Sequence, residues 1–588
     1  MHIRPVTKTP RIVLFLYSFV ALSVPLILIS WLPLLSNWQL NRYQVSVQDL
    51  GFPLLLNTLA ACIVALLFLR LLLIDRLAGY LGAILTTLLF TNGFDKRMDA
   101  LYPLVQALDP FHQLGEWQDT LYSIAVAGIL LAIATIISIA ISRIFQHKGI
   151  KFLDSTGGLT VAIVIISILQ IAPVLHTLTI EWPQFFYRPP SLVANTITSS
   201  KGTPDIFYIV LDRYASQSVL DTQLHFDNSS FTQFLARSGI ITNPNAHNNY
   251  PYTTMSIAST LNADYQTDII NKFSGASQQT LEPYHEAIRY SSVIQRFKQL
   301  GYSYTSIGSE YEATNQAPLA DSDTEQDGKL TLFNYTFTLN GYGKNELNRS
   351  IFARIIKQGI HIHNIVAVSY KSQDNARAAM SQLSTLKQLA KQPPAKRLIF
   401  AHILIPHDPY VFNADGSLST TPNSDNVGKP IQQKYLEQVS FINNQMEDVI
   451  NTIDATSNKQ AVIILQADEG PYPMQLTGNV FDPIQVNAEV SQGNMLNWSD
   501  SALAMKFGNL AAYRVPQADA ADSEKAEDSV NIFRLVLNTY FNQKLPYLPQ
   551  CIYAYADGRE KPFNYTDITQ RLTHQDSTCP VDSIFIKQ

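Results

Sequence analysis

Five stretches of this 588-residue chain contain no Asp, Glu, Lys or Arg over about the length a helix needs to cross a hydrocarbon core of about 30 Å. They run from Ile12 to Asn41, Gly51 to Leu69, Leu77 to Phe94, Thr120 to Ser142 and Ser155 to Ile180. Lipid offers backbone N–H and C=O groups no partner, so each stretch is expected to cross as a helix. A cleaved signal peptide accounts only for the first, and buried helices of a water-soluble protein seldom stay this apolar for this long.

Cationic residues set the expected orientation. Arg4, Lys8 and Arg11 precede the first span, Arg70 and Arg76 lie between the second and third, and Arg143, Lys148 and Lys151 separate the fourth from the fifth. The other side carries only Arg42, Lys96 and Arg97 before the fifth span, so the positive-inside rule places the N-terminus in the cytoplasm. An odd number of spans then puts everything after Ile180 outside, in a bacterial-type cell (inner) membrane with a periplasmic or extracellular domain. The segment Asp95 to Glu116 is long enough to touch that domain, and Trp117 and Tyr122 suit an interfacial belt.

The composition agrees with a chain partly in lipid: 15% of residues are charged and 46% are apolar. A net charge of -5, with no basic stripe, argues against a nucleic-acid partner. Cysteine is scarce. Cys62 lies in an apolar run, and Cys551 and Cys579 would either form one disulfide in an oxidising compartment or remain two buried thiols. Without a CxxC or Cys/His cluster, structural zinc and iron–sulfur centres are not expected.

The remainder reads as a separate domain. Residues 1–182 form the membrane part, 183–203 a linker rich in Pro, Ser and Thr, and 204–588 an external domain, with 489–588 as its C-terminal part. Asp205 to Leu211, Leu398 to Ile405 and Ala461 to Leu465 are apolar runs without alternation, as in strands buried on both faces. Helical patterns intervene at Ser291 to Leu300, Asn375 to Lys391 and Gln432 to Ile453. The expected fold is α/β, a sandwich around a mostly parallel sheet. The C-terminal part is expected to add a strand at Leu510 to Val515, an amphipathic helix from Val530 to Phe541 and a solvated acidic loop from Asp519 to Asp528. Sequons at Asn334 and Asn564 arise often by chance and imply nothing.

Ligands of parallel sheets bind beyond the carboxyl ends of the strands. Asp212 and Arg213 end the first run, Pro406 and His407 the second, and Asp468 and Glu469 follow the third. Hard oxygen donors with an imidazole suit Mn, Mg or Zn.

At these positions the chain resembles the sulfatase and alkaline phosphatase superfamily, especially its membrane-anchored lipoteichoic acid synthase-like and phosphoethanolamine transferase-like branch. PDIFYIVLDRYAS is similar to the family's opening strand, which ends in a metal-binding carboxylate, here Asp212; Arg213 stands where sulfatases usually have a second Asp. TTMSIASTLN aligns with Cys-x-Pro-Ser-Arg-x-x-x-Leu-Thr-Gly, which puts Thr253 at the nucleophile, Ser256 at the Ser and Leu261 at the Leu. A one-residue slip would make Thr254 the nucleophile. Thr in place of Cys resembles the transferase branch and removes the formylglycine precursor that sulfate-ester hydrolysis uses. HILIPHDPYVF is similar to the family's His-x-Pro-Tyr segment, with His407 facing substrate, and His402 is read as a packed strand residue. VIILQADEGPYP resembles the strand before Asp-His-Gly, with Asp468 and Gly470 matching and Glu469 replacing the His.

The resemblance implies one divalent cation held by Asp212, Thr253, Asp468 and Glu469. Thr253 would also attack phosphorus, His407 would stabilise charge or donate a proton, and Arg213 would support the anionic transition state. A lipid-linked or envelope-glycan phosphoester is the implied substrate, with membrane lipid as a neighbour. Taken singly, each residue also has an ordinary structural role: Asp at a strand end as a cap, Thr253 as a helix N-cap, His407 as a turn former. The rival expectation is a catalytically degenerate relative that binds lipid or glycan, or regulates a partner, and Arg213 and Glu469 are the residues that favour it. A transporter ranks last, because the five spans have no interior charge to couple ions.

Overall fold

The computed structural model describes residues 11–41, 50–91, 101, 103, 118–148, 156–192, 202–276, 280–309, 311–323, 329–332, 335–338, 366–369, 375–422, 427–473, 494–555, 563–575 and 579. Asn334 and most of 95–116 lie outside them. Two compact units are present, Met1–Ile180 with Asp327–Ser372, and Glu181–Gln326 with Gln373–Gln588.

The first unit holds helices Arg11–Asn41, Gly51–Ile74, Arg76–Thr91 and Gln118–His147, and most of Thr156–Phe185. Among the described residues, four helices are long and apolar enough to cross a membrane: Phe15–Leu40, Gly51–Ile74, Ile124–His147 and Thr160–Phe185. The expected third span falls short of this: Arg76–Thr91 has 16 residues, about 24 Å at 1.5 Å per residue, and 92–94 lie outside the described residues. Large side chains such as Leu67, Ile136 and Leu169 are exposed, the apolar outer surface that lipid solvates and water does not. The chain is an integral membrane protein.

Asp75 explains the break before the short helix. Its N–H still donates to Leu71 O at 2.8 Å, while Oδ1 accepts the Ala78 N–H at 3.0 Å as a cap for the next helix and the Ser142 hydroxyl at 2.9 Å. Close packing follows: a Cβ on Gly79 would sit 2.4 Å from the Leu72 backbone. In the same unit β5 (Lys329–Leu332), β6 (Tyr335–Thr338) and β7 (Val366–Ser369) form a small antiparallel sheet, ordered β6-β5-β7.

The second unit is the α/β sandwich that the sequence predicts. Its seven strands are β1 (Ile206–Leu211), β2 (Ile241–Thr242), β3 (Ser303–Ile307), β4 (Ser322–Asp323), β8 (Arg397–Ile403), β9 (Val462–Gln466) and β10 (Ala511–Arg514), in the order β2-β10-β9-β1-β8-β3-β4. Pairs from β9 through β4 are parallel, and β10 and β2 add an antiparallel edge. A separate hairpin-like pair, β11 (Tyr553–Tyr555) with β12 (Tyr565–Asp567), is antiparallel.

The alternating side chains of β1 serve two cores. Ile206, Tyr208 and Val210 pack with helices Thr253–Asn262, Ser292–Gln299 and Ile532–Phe541, whereas Phe207, Ile209 and Leu211 pack with Asn375–Ala390 and Ile431–Ser457. Burial on both faces is why the strand sequence shows no polar alternation. The helix expected to end at Ile180 continues to Phe185, into the proline-containing stretch. The acidic segment is not a solvated loop: Ala520–Lys525 is helical, and Asp528 is buried as the cap of the turn Ser529–Asn531. Cys551 and Cys579 are disulfide-bonded with Cα atoms 5.8 Å apart.

Candidate metal centre and nucleophile

Asp212 follows β1, His402 is the penultimate residue of β8, and Asp468 comes two residues after β9. Parallel pairing of β1 with both neighbours, with Val210 opposite His402 and Gln466, brings these groups to one sheet edge. One ligand atom from each of Asp212, His402 and Asp468 lies within 4.8 Å of the others, and all three side chains are buried. Asp212 Oδ1, His402 Nε2 and Asp468 Oδ2 have no hydrogen-bond partner. Burying such atoms is costly unless something compensates them.

The strand parity explains His402. It shares a face with Leu398 and Phe400, which pack in the core on the side of helix Thr253–Asn262, but its ring nitrogens meet polar groups there. Its Nδ1 is 2.9 Å from Thr314 Oγ1 and its Nε2 is 3.4 Å from Asp212 Oδ2. With Nδ1–H donating to Thr314, the lone pair falls on Nε2, the arrangement that hydrogen bonding imposes on a ligating imidazole. The packed-strand reading of His402 missed this, although its even spacing from Leu398 and Phe400 was the available signal.

Glu469, expected among the ligands, faces elsewhere. Oε1 accepts from Arg213 Nε at 2.9 Å and Oε2 lies 2.8 Å from Lys506 Nζ. Lys506 Nζ makes that contact as an ion pair between buried charges, without hydrogen-bond alignment. Arg213 Nη1 also donates to Asp408 Oδ1 at 3.1 Å. A carboxylate held between two cations has little charge left for a metal, so the candidate donor group is Asp212, His402 and Asp468. Lys506, on the helix Asp500–Phe507, escaped the sequence reading because it lies in no recognisable motif.

Arg213 adopts φ 61°, a left-handed conformation that is unusual for arginine. Tyr435 holds it there, donating its hydroxyl to Arg213 O at 2.9 Å while accepting from Ala215 N at 3.0 Å. The turned backbone directs the Arg213 N–H to Asp468 Oδ1 at 3.1 Å. Gly470 is required by close approach: a Cβ there would stand 2.1 Å from Met505 O.

Thr253 opens helix Thr253–Asn262, with Tyr252, not Thr253, at the N-cap. Its side chain lies beside Asp468 and favours the charged form of that carboxylate. Thr254 instead meets the Tyr311 hydroxyl, whose ring stands edge-on to His402 at 5.7 Å. His407 is about one-third exposed, with Nδ1 against Asp408 O and 3.2 Å from Asp408 Oδ1, which leaves Nε2 for contact with another molecule.

Electrostatics separate the two acids. Burial raises the Asp212 pKa, but His407, His402 and Arg213 outweigh it and hold the group at about 2. Burial, together with the charges of Asp212 and Glu469, pushes Asp468 well above the usual carboxylate range. Two close carboxylates in a dry site cannot both ionise cheaply, and a cation between them removes that conflict. The site therefore fits a divalent ion.

Residues 204–512, more than half of the chain, match the protein family described as Sulfatase. No curated protein matches the chain in sequence. Similar solved structures include the C-terminal periplasmic domain of EcEptC from Escherichia coli in complex with Zn, at 12% identity, TM-score 0.39, with 65% of this chain and 96% of that one covered. The lipooligosaccharide phosphoethanolamine transferase EptA from Neisseria meningitidis is 10% identical, TM-score 0.35, with coverage of 90% and 94%. The 2-O GAG sulfatase BT1596 is 10% identical, TM-score 0.35, with coverage of 61% and 79%.

Proposed function

The chain belongs to the sulfatase family as a membrane-bound hydrolase or phosphotransferase, and we propose that it transfers or hydrolyses a phosphoester of a lipid or envelope glycan through Thr253. The observation that carries this is the group of three buried donors with unsatisfied atoms, with Thr253 placed beside Asp468. The absence of Cys at position 253 supports phosphorus over sulfate-ester chemistry.

Asp212, His402 and Asp468 would hold one divalent ion, Zn or Mn being suited to mixed carboxylate and imidazole donors. When bound, the ion lowers the pKa of the Thr253 hydroxyl and neutralises charge on the phosphoryl oxygens. Thr253 Oγ forms a bond to phosphorus as the bond to the departing alcohol breaks, and His407 protonates that alcohol. Arg213 and Lys506 keep positive charge beside the developing anion, with Glu469 setting their position. Water or an acceptor alcohol then breaks the phosphothreonine bond. We place the catalytic unit on the outer side of an inner membrane, supported by the Cys551–Cys579 disulfide.

The test is phosphodiesterase turnover of a chromogenic substrate by the full chain in detergent. Thr253→Ala should lose roughly 10³-fold or more in kcat with metal content intact, while Thr254→Ala should stay within about tenfold. Equal turnover by wild type and Thr253→Ala would sink the assignment of Thr253, and no turnover by metal-loaded wild type would favour the non-catalytic relative, which Arg213 and Glu469 recommend.

A further inference from the structure

A second group of donors lies outside the proposed centre. Helix Glu282–Arg289 is buried along its whole length, although it carries Glu282, His285, Glu286 and Arg289, residues that rarely enter a core unpaired. Glu282 and His285 are three apart and so share one face. Glu312, from the segment after β3, meets them there, and one ligand atom from each of Glu282, His285 and Glu312 lies within 4.8 Å of the others.

Arg188 and Arg289 both pair with Glu286, with Arg289 Nη1 at 3.1 Å from Oε1, and Arg289 reaches Glu282 Oε2 at 3.6 Å. An independent observation concerns His285: the side chain is 5% exposed, its Nδ1 is 3.6 Å from Glu282 Oε1, and that nitrogen has no hydrogen-bond partner. A buried imidazole nitrogen that faces a carboxylate without a hydrogen bond calls for either a proton or a metal ion.

We propose that Glu282, His285 and Glu312 form a second divalent-metal site, structural in role. Two carboxylates and an imidazole suit Zn or Mn. Ligand bonds of about 2.1 Å require these atoms to draw in by roughly 1 Å, which rotation of the two glutamate side chains supplies. Glu312 follows Tyr311, whose hydroxyl meets Thr254 and whose ring stands on His402. The ion fastens this segment to the helix that packs on Thr253–Asn262, and so holds Tyr311 in place. This second site shares no residue with the first and does not depend on the proposed reaction.

The experiment is elemental analysis of the full chain in detergent after equilibration with Zn²⁺ and removal of free ion. Wild type should retain about two equivalents, and His285→Ala and Asp468→Asn about one each, lost from different sites. Glu312→Gln, at a partly exposed position, should also drop to about one with secondary structure unchanged, which decides the matter where His285→Ala fails to fold. Wild-type stoichiometry in Glu312→Gln overturns the second site, with His285 then taking a proton. One equivalent in wild type, lost in Asp468→Asn, overturns it too but leaves the proposed function standing. One equivalent lost only in Glu312→Gln has the opposite effect: it supports the second site and removes the first.

Discussion

His402 Nε2 lies 3.4 Å from Asp212 Oδ2, with its other ring nitrogen held by Thr314 at 2.9 Å. Two strands that are neighbours in the sheet but nearly 200 residues apart in sequence thus set an imidazole against a carboxylate whose Oδ1 has no partner. Removing either donor should weaken divalent-metal binding by roughly 100-fold or more, since outer partners alone contribute about 10- to 100-fold. Thr314→Val, which removes only the bond that orients the ring, should weaken it about tenfold. Metal titration by calorimetry reads both; unchanged affinity in His402→Ala would return that residue to a packing role.

Glu469→Gln should behave differently. Metal affinity should hold, because the carboxylate is engaged by Arg213 and Lys506, but two buried cations lose their counter-charge. Breaking such a pair costs roughly 3–5 kcal/mol. Adding Lys506→Met should recover part of that, as an uncharged chain of similar length leaves only Arg213 to be compensated. Thermal midpoints of the single and double variants check the coupling. A metal-free Glu469→Gln protein of normal stability would restore Glu469 as a ligand.

These two residues mark where the sequence was legible. Strand position and order were readable because β1, β8 and β9 are buried on both faces and so are mostly apolar, with polar residues only at Arg397, His402 and Gln466. Asp212 and Asp468 stood out as acids at the ends of such runs. Whether His402 or Glu469 faces the site depends on strand parity and on Lys506, which a helix forty residues away brings in, and neither follows from local pattern. The span count came out slightly off, since four described helices are long and apolar enough to cross and Arg76–Thr91 is shorter; the Asp75 cap and its Ser142 contact fix where that helix begins.

The disulfide joins Cys551, just before β11, to Cys579 across 28 residues. Closing a loop of that length removes unfolded-state entropy worth about 3.5 kcal/mol. Cys579→Ser should lower the thermal midpoint accordingly, and reducing agent should lower wild type to the same value. Thiols that react freely with a maleimide in protein isolated without reductant would argue against an oxidising compartment and hence against the proposed orientation.

Asp528 should make stability fall as pH rises. Its carboxylate is buried, accepting from Asn249 Nδ2 at 2.7 Å and from the Tyr265 hydroxyl at 3.2 Å. Burial raises its pKa to about 6 despite these bonds. The folded state therefore holds the proton more tightly than the unfolded chain, whose carboxyl titrates near 3.8. That contribution is fully present below pH 3.8 and is lost as pH climbs through about 6, a change of roughly 3 kcal/mol. Asp528→Asn keeps the acceptor for Asn249 and can donate to the Tyr265 oxygen, so it should remove this loss without opening the core. The difference in thermal midpoint between variant and wild type should be near zero at pH 4 and should favour the variant above pH 6, other titrating groups cancelling in the subtraction. A difference that does not change with pH would mean that Asp528 stays ionised in the folded protein.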